Sequence, residues 1–478
     1  MYYKIMDDVL YRQYGKYGLI TDNSEYGYRM INDSRPLRGE KYVSQSGSIM
    51  LGTLSRIPKH IDKIVDELMQ IFIGVDFETL KSDTEEFLQQ FVENGFVCVG
   101  KTIDECVNYK ADNKMEEIRK DQTAISVGSD ECGKNIFKMN EFLRSIHVEI
   151  ANACNERCVH CYIPHKYKTD VMESELFYRI VEEARDMNII HITLSGGEPL
   201  LHRDIIGFLR KCKELDLSIN VLSNLTMLTE EVIQEMKNNP LLSVQTSIYS
   251  MNPAIHDAIT KLPGSLKKTV LGLKKLIEAK LPVQISCPVM KANKDDFVSV
   301  IKWGYDNNIS VAVEPVIFAS YDHTGDNLVN RLSLEEIGKA FDYQLQEGYG
   351  NTIRTLAREK ESMTGEDPIC SICRYSFCIS VKGEVYPCVG WQTNTIGDAK
   401  ESSLREIWEK SKKIQYLRKI KRKNFSQCVE CKDRGYCTVC MMSNSNENQD
   451  GDAFKINPFH CKVAELKHKK VNAYMDGE

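Results

Sequence analysis

The sequence predicts an α/β protein built around an open, partial (β/α)6 TIM barrel, with a winged-helix domain before it and a cysteine-rich domain after it. Three observations carry this. Between Arg144 and Val316, short apolar runs alternate with amphipathic stretches of helical period, the pattern of parallel strands covered by helices. Ahead of it, residues 1–105 open with strand-like runs and continue with three helical ones. Behind it, nine of the 17 cysteines crowd between 370 and 461. At 478 residues the chain is too long for one ordinary domain. The changes of pattern divide it at 1–105, a linker at 106–140, the barrel at 141–330, a bridging region at 331–365 and the cysteine-rich domain at 366–478.

In order, Val9–Tyr14 and Tyr17–Thr21 are aromatic and β-branched and are predicted as strands. Ser48–Leu54 is a short helical segment. Pro58–Phe72 has proline near its first turn and Ile61, Ile64, Val65, Leu68, Met69 and Phe72 on one stripe. Asp76–Asn94 repeats that stripe with Phe77, Leu80, Phe87, Leu88 and Phe91, stops at Gly95, and gives way to a short strand at Phe96–Val99. Strands, three helices and a wing describe a small winged helix. The polar run 106–140 is predicted as a linker. Barrel strands are predicted at Ser145–Ile150, Ile189–Leu194, Ile219–Leu222, Leu242–Ile248, Val283–Val289 and Ser310–Val316. Helices are predicted between them at Glu173–Met187, Ile205–Leu215, Glu230–Lys237, Val270–Ala279 and Asp296–Asp306. Chemistry in parallel barrels gathers at the C-terminal strand ends. The run Cys154–Cys161 follows the first strand and Gly196-Gly197-Glu198-Pro199 follows the second.

Composition excludes several classes. A net charge of −6 gives no global attraction to nucleic acid or an acidic membrane. No stretch of 18 apolar residues could span a bilayer, and acids stand where a signal peptide would be apolar. The expectation is a soluble cytoplasmic protein without membrane or nucleic-acid partners. Cysteines clustered in a reducing compartment point to metal rather than disulfides. Cys98, Cys106, Cys132, Cys212 and Cys287 are scattered and read as small buried side chains.

Cys154, Cys158 and Cys161 stand at Cys-x3-Cys-x2-Cys. Three thiolates can hold three corners of an iron–sulfur cube that usually takes four, leaving one iron open. A structural zinc site would need a fourth ligand, and only His160 is near enough to supply it. The stretch resembles the radical S-adenosylmethionine (SAM) enzymes, in which the open iron of a [4Fe–4S] cluster is chelated by SAM. The resemblance implies that His160 lies against the adenine and that Gly196, Gly197, Glu198 and Pro199 meet the methionyl amine, with Glu198 an acceptor. It also implies that Ser223, Asn224 and Ser247 touch the carboxylate or ribose. Where that family often has an acid two residues after the last serine, Tyr249 stands here.

The second cysteine cluster reads Cys370-x2-Cys373, Cys378, Gly383-x4-Cys388, Cys428-x2-Cys431-x5-Cys437-x2-Cys440 and Cys461. A zinc ribbon on Cys428, Cys431, Cys437 and Cys440 would orphan Cys370, Cys373, Cys388 and Cys461, whereas eight thiolates divide into two four-thiolate clusters. The arrangement resembles the SPASM domain of radical SAM peptide-modifying enzymes, one residue short between Cys437 and Cys440. The resemblance implies an inner auxiliary [4Fe–4S] cluster on Cys370, Cys373, Cys388 and Cys440. It implies an outer one on Cys428, Cys431, Cys437 and Cys461, with Cys378 spare or standing in for Cys370.

Before such a barrel, the winged helix is similar to the RiPP recognition element, which grips the leader of a ribosomally made precursor peptide by strand addition. The other reading, DNA binding, lacks a basic helix: Lys59, His60 and Lys63 are mixed with Asp62, Asp66 and Glu67. The resemblance as a whole implies a radical SAM peptide maturase, supplied with electrons by a flavodoxin or ferredoxin, that forms Cys thioethers through hydrogen abstraction by a 5′-deoxyadenosyl radical. Carbon–carbon or carbon–oxygen crosslinking, maturation of a folded protein and an iron–sulfur redox sensor are the alternatives. Val389 stands where sulfatase-maturing relatives carry an acid, which disfavours formylglycine formation. Glu314, ending the sixth strand, is the candidate catalytic carboxylate.

Overall fold

The computed structural model of the chain describes residues 1–22, 26–31, 38–109 and 142–476. Most of the expected linker, with Cys132, lies outside the described residues.

Six parallel strands, β7 (Ser145–Ala151), β8 (His191–Gly196), β9 (Ser218–Leu222), β10 (Leu242–Ser247), β11 (Val283–Pro288) and β12 (Ser310–Glu314), lie side by side in chain order. Helices Ser174–Asp186, Ile205–Glu214, Glu230–Lys237, Ser265–Glu278 and Phe297–Asp306 separate them. A further helix, Pro253–Thr260, not foreseen in the sequence, precedes the fourth of these, and Asn252 caps it by accepting from Ala254 N. The two faces of the sheet differ. Ile146, Val148, Ile192, Leu194, Ile219, Val221, Val244, Val283 and Ile285 are buried against the helices. The alternate residues, His147, Glu149, Thr193, Ser195, Asn220, Gln245, Ser247, Gln284 and Ser286, form the other face. Parallel strands covered by helices on both faces read as continuous apolar runs; this polar face is therefore kept free of a second helical layer.

The cysteine-rich domain continues the same sheet. β13 (Ser376–Ile379) pairs parallel with β7, setting Cys378 beside His147, and β14 (Glu384–Tyr386) and β15 (Gly397–Asp398) follow antiparallel. Phe377, Ile379, Val385, Trp391 and Leu404 share one apolar core with β7 and β8. The expected spacer helix Leu404–Tyr416 is two helices, Leu404–Lys410 and Lys412–Arg418, broken at Ser411, whose side chain caps the second.

The N-terminal part has its own core, in which Val9, Ile20 and Leu51 meet Ile61, Ile64, Leu68, Leu88 and Phe96. Helices Gln45–Gly52, Ile61–Met69 and Phe77–Glu93 match the expected three. Two sheets flank them: β2 (Leu10–Tyr14), β3 (Tyr17–Thr21) and β4 (Glu40–Val43) form one, and β1 (Tyr2–Ile5) between β5 (Lys59–His60) and β6 (Val97–Gly100) the other. The short strands β1, β4 and β5 were not legible, because their mixed polar residues acquire strand form only by pairing.

This part is fastened to the N-terminal ends of the parallel strands. Leu10, Tyr14 and Leu19 pack with Ile190 and Leu241, and Tyr14 Oη donates to Asn188 O at 2.7 Å. Arg12, only 1% exposed, donates to Asp216 Oδ2 at 3.3 Å, and Arg56 to Asp216 Oδ1 at 2.6 Å. Asp216 adopts a left-handed φ of 55°, which Asn tolerates equally well. Asp216→Asn keeps the backbone but leaves a buried guanidinium without its anion, a loss on the order of 3 kcal/mol. Denaturant unfolding should show a clearly lowered midpoint for this variant; an unchanged midpoint would mean that the ion pair does not hold the two parts together.

Candidate functional site

The loop after β7 carries Cys154, Cys158 and Cys161 and is anchored through its backbone. Asn152 N and Ala153 N donate to Asp170 O at 2.8 and 3.1 Å. Arg157 N and Val159 N reach Thr260 O and Ile259 O at 2.9 and 3.0 Å. Asn327 and Asn330 side chains donate to His160 O and Val159 O at 3.1 and 2.9 Å. The loop's shape is thus set by the fold.

The turn after β8 packs on it without side chains. Gly197 N donates to Ala151 O at 2.6 Å and Glu198 N to Ala153 O at 2.9 Å. A Cβ on Gly197 would fall 2.4 Å from Asn152 O and 2.8 Å from Cys154 Cβ; one on Gly196, whose φ is +121°, would fall 2.2 Å from Ala151 O. Only glycine admits this approach. Pro199 opens the 3-10 turn that follows.

Glu198 is fully buried, and its oxygens accept from Ser223 Oγ at 2.7 Å, Leu200 N at 2.9 Å and Asn224 N at 2.7 Å. Burial pushes its carboxyl up to about 7 against these three donors. These bonds tie the strand end of β9 to the glycine turn, and Oε2, with one donor, keeps a further acceptor position. Asn224 Nδ2 in turn donates to Asn155 Oδ1, in the cysteine loop, at 2.9 Å. Ser247 ends β10 in register with Ser286. Tyr249, two residues on, turns inward: its hydroxyl lies 3.9 Å from Cys158 Sγ and its ring 5.0 Å, edge-on, from His160.

The residues fit an iron–sulfur cluster and SAM. Burial pushes the Cys154 thiol up to about 11 and Cys158 higher still, so thiolates here need a positive centre beside them, which a metal supplies. His160 Nδ1 is buried without a hydrogen-bond partner among the described residues, as befits a ring awaiting a ligand. Burial holds that imidazole down at about 4, hence neutral.

Two cavities hold the second set of cysteines. One, of about 210 Å³, is lined by Cys428, Cys431, Cys437, Cys461 and His460, with Cys440 shared with the other. The other, of about 380 Å³, is lined by Cys370, Cys378, Cys388 and Cys440 and reaches His147 and Thr193 on the sheet's polar face. Cys373 lines neither; it is fully buried in the main apolar core with a left-handed φ of 54°. The structure therefore groups Cys378, not the expected Cys373, with Cys370, Cys388 and Cys440. β13 explains it: alternation turns Cys378 toward the polar face.

Glu314 is exposed at the end of β12, its Oε1 accepting from Val316 N at 3.1 Å, and Lys467 and His460 of the helix Pro458–Asp476 are its neighbours. A second carboxylate, Glu149, stands on β7 beside the strand that carries Cys378. It is fully buried, and Gln392 Nε2 donates to its two oxygens at 2.9 and 2.8 Å. Its charge is felt by Tyr162, Tyr321 and Cys378. Burial, only partly countered by Gln392, pushes it up to about 7. A carboxyl that holds its proton more tightly folded than unfolded adds stability below about pH 4.5 and loses it as pH rises through about 7.

Two expectations follow from this geometry. Gly197→Ala should displace Cys154 and lower both iron content and SAM binding several-fold; an alanine variant with full iron and normal affinity would contradict the packing described. Glu149→Gln should flatten the fall in denaturant stability between pH 5 and 7.5 by up to roughly 2–3 kcal/mol; an unaltered slope would mean that Glu149 is not the group responsible.

Comparison with known proteins agrees with this anatomy. Residues 148–304 match the radical SAM superfamily, 370–433 the SPASM iron-sulfur cluster-binding domain and 36–97 the coenzyme PQQ synthesis protein D (PqqD) family. Over 322 residues the chain is 25% identical to an AdoMet-dependent heme synthase of Methanosarcina barkeri, covering 62% of this chain and 90% of that one. It is 23% identical over 281 residues to the sporulation killing factor maturation protein SkfB of Bacillus subtilis, covering 57% of this chain and 66% of SkfB. The crystal structure of Streptococcus suis SuiB bound to its precursor peptide SuiA superposes with a TM-score of 0.62 at 14% identity, over 96% of this chain and 99% of SuiB, a likeness of fold. The chain is a radical SAM enzyme with a SPASM domain and an N-terminal PqqD-like domain, and its cofactors are SAM and [4Fe–4S] clusters.

Proposed function

We propose that the chain modifies a ribosomally synthesised precursor peptide and forms Cys thioether crosslinks in it. The observation that carries this reading is the joining of two thiol sites by one sheet. The Cys154–Cys161 loop leaves the end of β7, and the cavity of Cys370, Cys378, Cys388 and Cys440 opens on the polar face where β13 pairs with β7. When bound, the cluster and SAM supply a 5′-deoxyadenosyl radical that abstracts hydrogen from an unactivated C–H bond. Cys154, Cys158 and Cys161 hold that cluster; the glycine turn, Ser223, Asn224, Ser247 and His160 form the SAM cradle, within a partial (β/α)6 barrel at 141–330.

For the auxiliary clusters we propose Cys370, Cys378, Cys388 and Cys440 for the inner and Cys428, Cys431, Cys437 and Cys461 for the outer, in a domain at 366–478. Val389 borders the inner cavity and brings no base there. A substrate thiol bound at a metal needs none, because the metal deprotonates it. Similarity to SkfB, by name a sporulation killing factor maturation protein, supports a maturation role.

Residues 1–105 would hold the leader as a winged helix. β4 pairs only with β3 among the described residues and so offers an open edge, which strand addition requires. This domain sits at the N-terminal ends of the parallel strands, opposite the cysteine loop. A strand of six residues rises roughly 20 Å, so a docked leader needs at least about six extended residues to bring its core peptide to the loop.

The test uses the reconstituted, reduced full chain with SAM and the peptide encoded by the short reading frame beside its gene. Expected are 5′-deoxyadenosine, loss of a hydrogen pair per crosslink and protection of peptide cysteines from alkylation. Removal of residues 1–105 should leave SAM cleavage but lower peptide modification at least tenfold. Crosslinks that leave every cysteine alkylatable would favour carbon–carbon or carbon–oxygen bonds instead; full turnover by the truncated chain would favour a folded protein substrate. Cys378→Ser should lose the inner cluster's iron and Cys373→Ser keep it; the reverse would return Cys373 to the ligand set.

A further inference from the structure

We infer that Lys168 is the fixed positive charge that sets the reduction potential of the cluster held by Cys154, Cys158 and Cys161. The inference rests on the radical SAM reading of that loop. Lys168 belongs to no motif. It follows the short turn His165–Tyr167, seven residues beyond Cys161. Yet it is only 4% exposed, where lysines are almost never fully buried unless paired.

Its surroundings define what it pairs with. The ammonium donates to Glu156 O at 3.5 Å, in the loop between Cys154 and Cys158. It thus closes over the stretch of the loop in which Glu156 N donates to Cys154 Sγ at 3.4 Å. Among the described residues it makes no ion pair with a carboxylate. The nearest acid, Glu156, is itself buried, and its Oε2 is turned to Cys158 Sγ at 3.4 Å. The other cations of the segment are exposed, Arg157 sharing Glu156 O with Lys168 and donating also to Cys154 O. Lys166 pairs with Asp322 at 3.0 Å, and Arg157 Nη1 lies 2.9 Å from the backbone oxygen Glu156 O.

A buried ammonium without an anion costs several kcal/mol. The fold keeps one here, so the site must hold negative charge when complete, and the three thiolates are in reach together with the Glu156 carboxyl. On a cubane core those thiolates outweigh the positive charge of the oxidised metal, and reduction adds a further electron. A fixed cation at this distance therefore stabilises the reduced state more than the oxidised one. Net charge is among the levers that set such potentials, and Lys168 supplies a positive charge beside the triad. The consequence is that the cluster becomes reducible by a weaker donor than the same three thiolates would otherwise demand.

The test compares Lys168→Met, Lys168→Gln and Lys168→Arg in the full chain after anaerobic reconstitution. Dye-mediated potentiometric titration is followed by electron paramagnetic resonance without SAM. The loop cluster's signal is isolated by difference from a variant with Cys154, Cys158 and Cys161 all changed to Ala. Expected are a lower midpoint potential for the loop cluster in the Met and Gln variants, a near-parental value in the Arg variant, and unmoved auxiliary clusters in all three. Loss of the loop's iron in the neutral variants but not in Lys168→Arg would support the same conclusion. An unmoved potential in the neutral variants, an Arg variant as impaired as Met, or weaker SAM binding with an unchanged potential would overturn it. A parental signal indifferent to removal of the three cysteines would instead overturn the cluster assignment, and this inference with it.

Discussion

The site depends on a contact that only two side-chain-free residues permit. Gly197 brings its backbone so close to Asn152, Ala153 and Cys154 that a single methyl group would overlap a carbonyl oxygen at 2.4 Å. Through that contact the end of β8 fixes the start of the cysteine loop, and Glu198 carries the constraint on to β9 by way of Ser223 and Asn224. Asn224 closes the circuit back to Asn155. Three consecutive strand ends are thereby locked into one frame, with the thiols at its rim. Preorganisation of this kind matters most where the protein must position a reactive cofactor and exclude water.

Around that frame the sheet separates two environments. Its apolar face buries Ile, Val and Leu against helices and carries the stability, while its other face collects polar and titratable groups that cost free energy to bury. Glu149 and Glu198 have hydrogen-bond donors that only partly relieve their burial, and Lys168 has a backbone oxygen in place of a carboxylate. A fold that retains such groups does so for what is assembled between them. β13 extends this face into the SPASM domain, so that the auxiliary thiols and the loop thiols address one region.

Much of this was legible in the sequence because its causes are local. Cys-x3-Cys-x2-Cys and Gly-Gly-Glu-Pro declare themselves by spacing, and the parallel strands by apolar runs of the right length. What stayed hidden depends on tertiary neighbours. Cys373 and Cys378 are equivalent as letters; only the pairing of β13 with β7 turns Cys378 to the polar face and leaves Cys373 in the core. The full set of three donors that fixes Glu198 appears only once β9 is folded beside it. Lys168 and Glu149 stand in no motif, and burial alone marks them. Glu314 drew attention as a strand-end acid but lies on the edge strand, facing the C-terminal helix. The short strands β1, β4 and β5 owe their form to partners far along the chain.

The most direct measurement is the spectrum of the reduced, anaerobically reconstituted chain before and after SAM is added. Coordination of SAM at an iron left open by Cys154, Cys158 and Cys161 should shift the resonance of one cluster, and that shift should vanish when the three cysteines are replaced. A spectrum indifferent to SAM in the parental chain would contradict the open-cluster site on which everything else is built.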